Sequence, residues 1–99
     1  MFYQIVLAPA ARRDFKNLKR YISLDSPPAA ERFALLLHAK VKMLSLHPKI
    51  GRVFPEIGDV AIREIIVKNY RVIYGIDSLN KKIRILRYWH AARGIPEII

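Results

Sequence analysis

Glu56, Arg63, Arg71 and His90 are the residues whose types suit chemistry, and phosphodiester cleavage on RNA is the chemistry they suit. A Glu or His can take the proton from a 2′-hydroxyl, and a His near its natural pKa can protonate the leaving oxygen. Arginines stabilise charge that builds on the phosphate, with no metal required. The stretch "ILRYWHAARG" (residues 85–94) adds Arg87, Tyr88, Trp89 and Arg93 beside His90, and an aromatic there could stack on a displaced base. The bland reading of the same residues is that Trp89 is core, the arginines are solvated and His90 caps a strand end. Which reading holds depends on strand register, because antiparallel pairing decides whether Arg63 and His90 approach.

Other chemistries are excluded or weak. With no cysteine there is no disulfide framework, thiol nucleophile or cysteine zinc site. His38, His47 and His90 are dispersed, with no paired-histidine motif at ligand spacing, so neither a metal nor any cofactor is expected. Four glycines form no phosphate-binding loop.

The elements that must position these residues are readable from periodicity. Tyr3–Leu7 alternates as a short strand, and Pro9 fits the first turn of a helix. Ala11, Phe15, Leu18 and Ile22 form its apolar stripe, with Arg12, Arg13, Lys16, Lys19 and Arg20 opposite. Ser26 is a good N-cap for a second helix that opens with Pro27 and Pro28 and carries Ala30, Phe33, Leu37, Val41 and Leu44 on one side. The segment "HPKIGRVFPEIGD" reads as loop. Val60–Val67, Tyr70–Ile76 and Lys82–Trp89 read as strands, the first two joined by a tight turn in which Asn69 tolerates a left-handed conformation. The expected fold is α+β in the order β-α-α-β-β-β, a helical hairpin packed on a mainly antiparallel four-stranded sheet, in one domain covering residues 1–99.

Composition narrows the setting. Of 99 residues, 53% are hydrophobic and 26% charged, ordinary for a globular protein. The apolar runs are too short to span a membrane and the start does not resemble a signal peptide, so no membrane association and a cytoplasmic location are expected. The balance of 18 Lys+Arg against 8 Asp+Glu leaves a net charge of +10, which seeks a polyanionic partner.

Four pieces, "SPPAAERF", "HPKIGRVFPE", "IREIIVKNYRVIY" and "ILRYWHAAR", in that order and spacing, resemble the RelE/ParE superfamily of bacterial type II toxins over nearly the whole chain. The resemblance implies a small basic toxin neutralised by a cognate acidic antitoxin, the pair acting on operator DNA through the antitoxin. The opening of the second helix and the Gly51-Arg52…Pro55-Glu56 loop look like the ParE branch, whose members poison DNA gyrase. Glu56, Arg63 and His90 are similar to the acid/base and phosphate-binding residues of YoeB-like nucleases, which cut mRNA on the ribosome, and Arg71 has a counterpart there. The lysine-rich segment of RelE-type nucleases is not evident. Three functions follow: a gyrase-binding toxin, a ribosome-dependent endoribonuclease in which Glu56, Arg63 and His90 are catalytic, or a non-toxic basic nucleic-acid-binding module. Under either toxin reading Arg71, Arg87, Tyr88, Trp89 and Arg93 are the expected target- or phosphate-binding residues. The right half of "ILRYWHAARG" is then expected at the exposed edge of the working surface, and "GIPEII" as a second docking segment.

Overall fold

After the strand Gln4–Leu7 (β1), Ala8 stays extended and Pro9 takes the first position of the helix Pro9–Asp25 (α1), where its missing N–H is harmless. Ser26 then serves two helices. Its backbone N–H donates to the Ile22 carbonyl at 3.1 Å, closing α1, and its Oγ accepts from the Ala29 N–H at 3.2 Å, opening Pro27–Leu46 (α2). The helices are therefore joined by a single residue. Ala11 and Leu18 of α1 and Phe33, Leu37 and Leu44 of α2 are all buried against one sheet face.

The computed structural model describes residues 2–96 and 98. The remaining strands are Arg52–Val53 (β2), Ile62–Val67 (β3), Tyr70–Asp77 (β4) and Lys82–His90 (β5), followed by a 3-10 turn at Ala91–Arg93. The sheet has five strands in the order β1-β5-β4-β3-β2, with β1 parallel to β5 and the other pairs antiparallel. The four-stranded expectation is corrected by β2. It is two residues long, lies inside the proline- and glycine-rich segment read as loop, and shows no alternation to detect. Its partner β3 starts at Ile62 rather than Val60, because Asp59 folds the chain into a turn: its Oδ1 accepts from the Ala61 N–H and its carbonyl from the Ile62 N–H, each at 2.9 Å.

The β3–β4 hairpin is as tight as expected, with Val67 opposite Tyr70. The left-handed residue is Lys68 (φ 54°) and not Asn69, so the positive φ falls on the first central position of the turn. A β-bulge shapes the other hairpin. Ile73 pairs with Arg87 but Tyr74 pairs with Ile85, leaving Leu86 as an extra residue in β5. The extra residue shifts the alternation by one. Ile83 and Ile85 face the helices before it, and Tyr88 faces them after it, while Arg87 and Trp89 turn to the opposite face.

That opposite face carries a second, smaller core: Phe54, Ile73 and Trp89 are buried, with Ile62, Leu86 and Ile98 packed against them. The main core includes Tyr74, whose hydroxyl donates to the Pro48 carbonyl at 2.6 Å and accepts from the Gly51 N–H at 3.1 Å. Gly51 is required there, since a Cβ would stand 2.5 Å from the Glu64 carbonyl oxygen and 2.7 Å from the Tyr74 hydroxyl. Among the described residues no helix is long and apolar enough to cross a membrane.

Candidate functional site

The helix-free face is where arginines and carboxylates meet. Glu64 on β3 is buried, its cross-strand neighbour on β2 is Arg52, and Arg71 lies diagonally across on β4. Arg52 Nε donates to Glu64 Oε2 and Arg71 Nε to Glu64 Oε1, each at 2.6 Å. The other side of the Arg71 guanidinium grips Glu56 through both nitrogens, Nη1 to Oε2 at 2.7 Å and Nη2 to Oε1 at 2.8 Å. Arg71 also lies 4.8 Å from the Phe54 ring centre. The result is a chain Arg52–Glu64–Arg71–Glu56 with two charges of each sign.

This network fixes protonation states. The Arg71 hydrogen bonds hold the Glu56 carboxyl below its usual pKa, and Glu56 first and Glu64 second hold Arg71 well above the ordinary arginine value. Glu56 is thus an ionised carboxylate with both oxygens engaged, which makes it a weak proton acceptor.

Arg63 and His90 lie elsewhere. Arg63 is opposite Tyr74, on the helix side of the sheet, and is spent on backbone: its Nη1 donates to the Gly51 carbonyl at 2.9 Å and its Nε to the Val60 carbonyl at 3.0 Å. It ties the β2–β3 loop together. His90 is opposite Tyr70, four residues further along β4. That separates Arg63 and His90 by about 13 Å along the strand and, with β4 between them, about 10 Å across it. The register that would bring them together is not the one formed. His90 Nδ1 accepts from the Ala92 N–H at 3.1 Å, capping the 3-10 turn, and its ring meets Tyr70 edge-on at 5.1 Å. It borders a cavity of about 510 Å³ lined also by Tyr21, Arg32, Phe33, Lys68 and Tyr70. Of the four residues, Glu56 and Arg71 meet each other, and neither Arg63 nor His90 joins them.

The end of β5 is built around Asp14. β1 stops opposite Ile85, so among the described residues the β5 edge beyond it has no strand partner, and the Asp14 carboxylate of α1 fills the gap. Its Oδ2 accepts from the Tyr88 N–H at 3.1 Å and from Arg87 Nε at 2.6 Å, and its Oδ1 from Arg87 Nη2 at 2.9 Å. Tyr88 is core, 5.5 Å from Phe15, and burial pushes its hydroxyl up to about 12. Trp89 is also buried, with the Arg87 and Arg93 guanidinium groups 4.7 and 4.3 Å from its ring centre and its Nε1 donating to the Gly94 carbonyl at 3.0 Å. The aromatic pair is therefore not the exposed edge that the sequence suggested. In the tail, Pro96 is buried and Ile98 packs on the second core, while Glu97 and Ile99 lie outside the described residues.

Asp14 and Glu64 are the two organising residues that motif reading passed over. Asp14 had a signal, three residues after Ala11 and four before Leu18 on the buried side of α1, whereas Glu64 had none, since its same-face neighbours on β3 are Ile62 and the exposed Ile66. A carboxylate on a buried face demands a cation. Among the described residues no group of three or more His, Asp or Glu is placed to hold a metal ion.

With this geometry in view, the comparisons with known proteins place the chain. Residues 5–95 match the family described as the ParE toxin of the type II toxin-antitoxin system parDE. A relative named Toxin RelE2, from Caulobacter vibrioides, is 35% identical over 92 residues, spanning 91% of this chain and 97% of that one. The solved structure titled the chromosomal ParDE TA system from P. aeruginosa superimposes with a TM-score of 0.71 at 19% identity, over 89% of this chain and 95% of that one. The toxin-antitoxin complex RelBE2 from Mycobacterium tuberculosis gives 0.59 at 25% identity, over 91% and 99%. The chain belongs to the ParE toxin family and is a toxin of the type II toxin-antitoxin class within the RelE/ParE superfamily.

Proposed function

We propose that this toxin arrests growth by binding DNA gyrase, the target that the ParE branch implies, and not by cutting RNA. One observation carries the reading: the acid/base set is unassembled, with Glu56 held by Arg71 on one sheet face and Arg63 and His90 apart on the other. Binding requires only that the surface be preserved, so His90 and Glu56 contribute shape and not proton transfer. A cognate acidic antitoxin neutralises the toxin in the cytoplasm, as the +10 charge and the toxin-antitoxin descriptions of both solved neighbours suggest, and carries the pair to operator DNA.

The test is a supercoiling assay with purified gyrase and toxin. Dose-dependent loss of supercoiling, changed by less than about twofold in His90→Ala and Glu56→Gln, supports the reading. Undiminished supercoiling at saturating toxin overturns it. Ribosome-dependent mRNA cleavage is the second reading, favoured by the one juxtaposition that does form, Glu56 against Arg71. Under it, His90→Ala abolishes mRNA cutting while the fold persists.

A further inference from the structure

The surplus cations lie on several elements, but α1 lines up a row of them along one exposed face. Arg52, Arg71 and Arg87 are paired with Glu64, Glu56 and Asp14, and Arg63 is bound to backbone carbonyls. On α1 the pattern differs. At about 100° per residue, Arg12, Arg13, Lys16, Lys19 and Arg20 all fall within an arc of about 120° on the side away from the sheet. Among the described residues Arg12, Arg13, Lys16 and Arg20 are exposed with no carboxylate partner, and of the five only Lys19 pairs, with Glu31 at 3.2 Å. The acidic residue inside this span, Asp14, points the other way and is consumed by Arg87 and the Tyr88 N–H. The first turn of α1 also carries no acidic residue, so the positive end of the helix dipole adds to the same field.

We propose that this stripe is a docking surface for the phosphate backbone of duplex DNA, contacted by the toxin itself and not through its antitoxin. From Arg12 to Arg20 the arc holds no apolar side chain, so an amphipathic acidic protein segment finds nothing to anchor on. Phosphates need only charge, and their neutralisation is driven by counterion release. The stripe is about 12 Å long on a rigid convex helix, a shape that the backbone and wide major groove of B-form DNA accept and that the narrow major groove of duplex RNA does not.

Four phosphate contacts predict a slope of about −3.6 for log affinity against log salt. Affinity of the full chain for a 20-base-pair DNA, read by fluorescence anisotropy, then falls roughly a hundredfold between 50 and 200 mM salt. The variant R12Q/R13Q/K16Q/R20Q is expected to lose nearly all of that slope. A control removing as many charges elsewhere, K40Q/K42Q/K82Q/R84Q, is expected to keep most of it, and circular dichroism confirms that both fold. Equal losses in the two variants, or no binding by the wild-type chain, overturns the proposal. So does tighter binding to duplex RNA or to a poly-glutamate peptide of equal charge. None of these outcomes depends on whether the toxin inhibits gyrase.

Discussion

Two arginine-rich regions of this small protein put the same side chain to opposite uses. On the helix-free sheet face, Arg52 and Arg71 close around a buried carboxylate and Arg71 reaches on to Glu56, so four charges cancel and the loop before β3 is clamped to the sheet. On α1, four cations stand in solvent with no carboxylate partner among the described residues. The difference is set by where the few acidic residues fall. Glu64 and Asp14 lie on buried faces and capture arginines, while the outer arc of α1 has none. A charge count from sequence gives the surplus; only the fold says which surface shows it.

The contrast can be broken at its strongest point by Glu64→Ala. That change leaves Arg71 largely buried beside Glu56 alone and costs about 3 kcal/mol in urea unfolding, since removing one partner strands the other charge. Asp14→Ala comes next. It removes the Asp14 partner of Arg87 and leaves the Tyr88 N–H at an uncovered edge, at a cost of about 2 kcal/mol by the same measurement.

Glu56→Gln costs less, about 1 kcal/mol at neutral pH, because the Glu56 end of the pair is partly solvated. The sign of its pH dependence follows from its depressed folded pKa. The carboxylate contributes stability that is fully present above the unfolded value of 4.5 and is lost as pH falls through the lower folded value. Acid titration of the wild-type chain therefore shows a loss in that window which Glu56→Gln lacks. The smallest effect is expected on α1: R12Q/R13Q/K16Q/R20Q changes thermal stability by no more than about 0.5 kcal/mol, because none of the four holds the fold together. A large destabilisation there would erase the distinction between the two regions.

Much of the fold was legible because its signals are local. The α1 and α2 stripes, the Ser26 cap and the short turn between β3 and β4 each declare themselves within a few residues. The site was less legible because it depends on pairing over distance. A two-residue strand, β2, brings Arg52 to Glu64, and no periodicity announces it. One extra residue, Leu86, reverses the alternation in β5, which turns Tyr88 toward the helices and Trp89 to the other face. Arg63 and His90 face the same side of the sheet, yet the register sets them four residues apart along β4. Residue types suggested a catalytic set; the hydrogen-bond register holds Arg63 and His90 apart in this structure.

The most direct test of that conclusion is cell-free translation with the purified protein, followed by mapping of mRNA 5′ ends. The account predicts intact mRNA and no new ends, in the wild-type chain and in His90→Ala alike. New ends at the ribosomal A site that disappear with His90→Ala would contradict it, and would mean that the separated residues assemble on the ribosome.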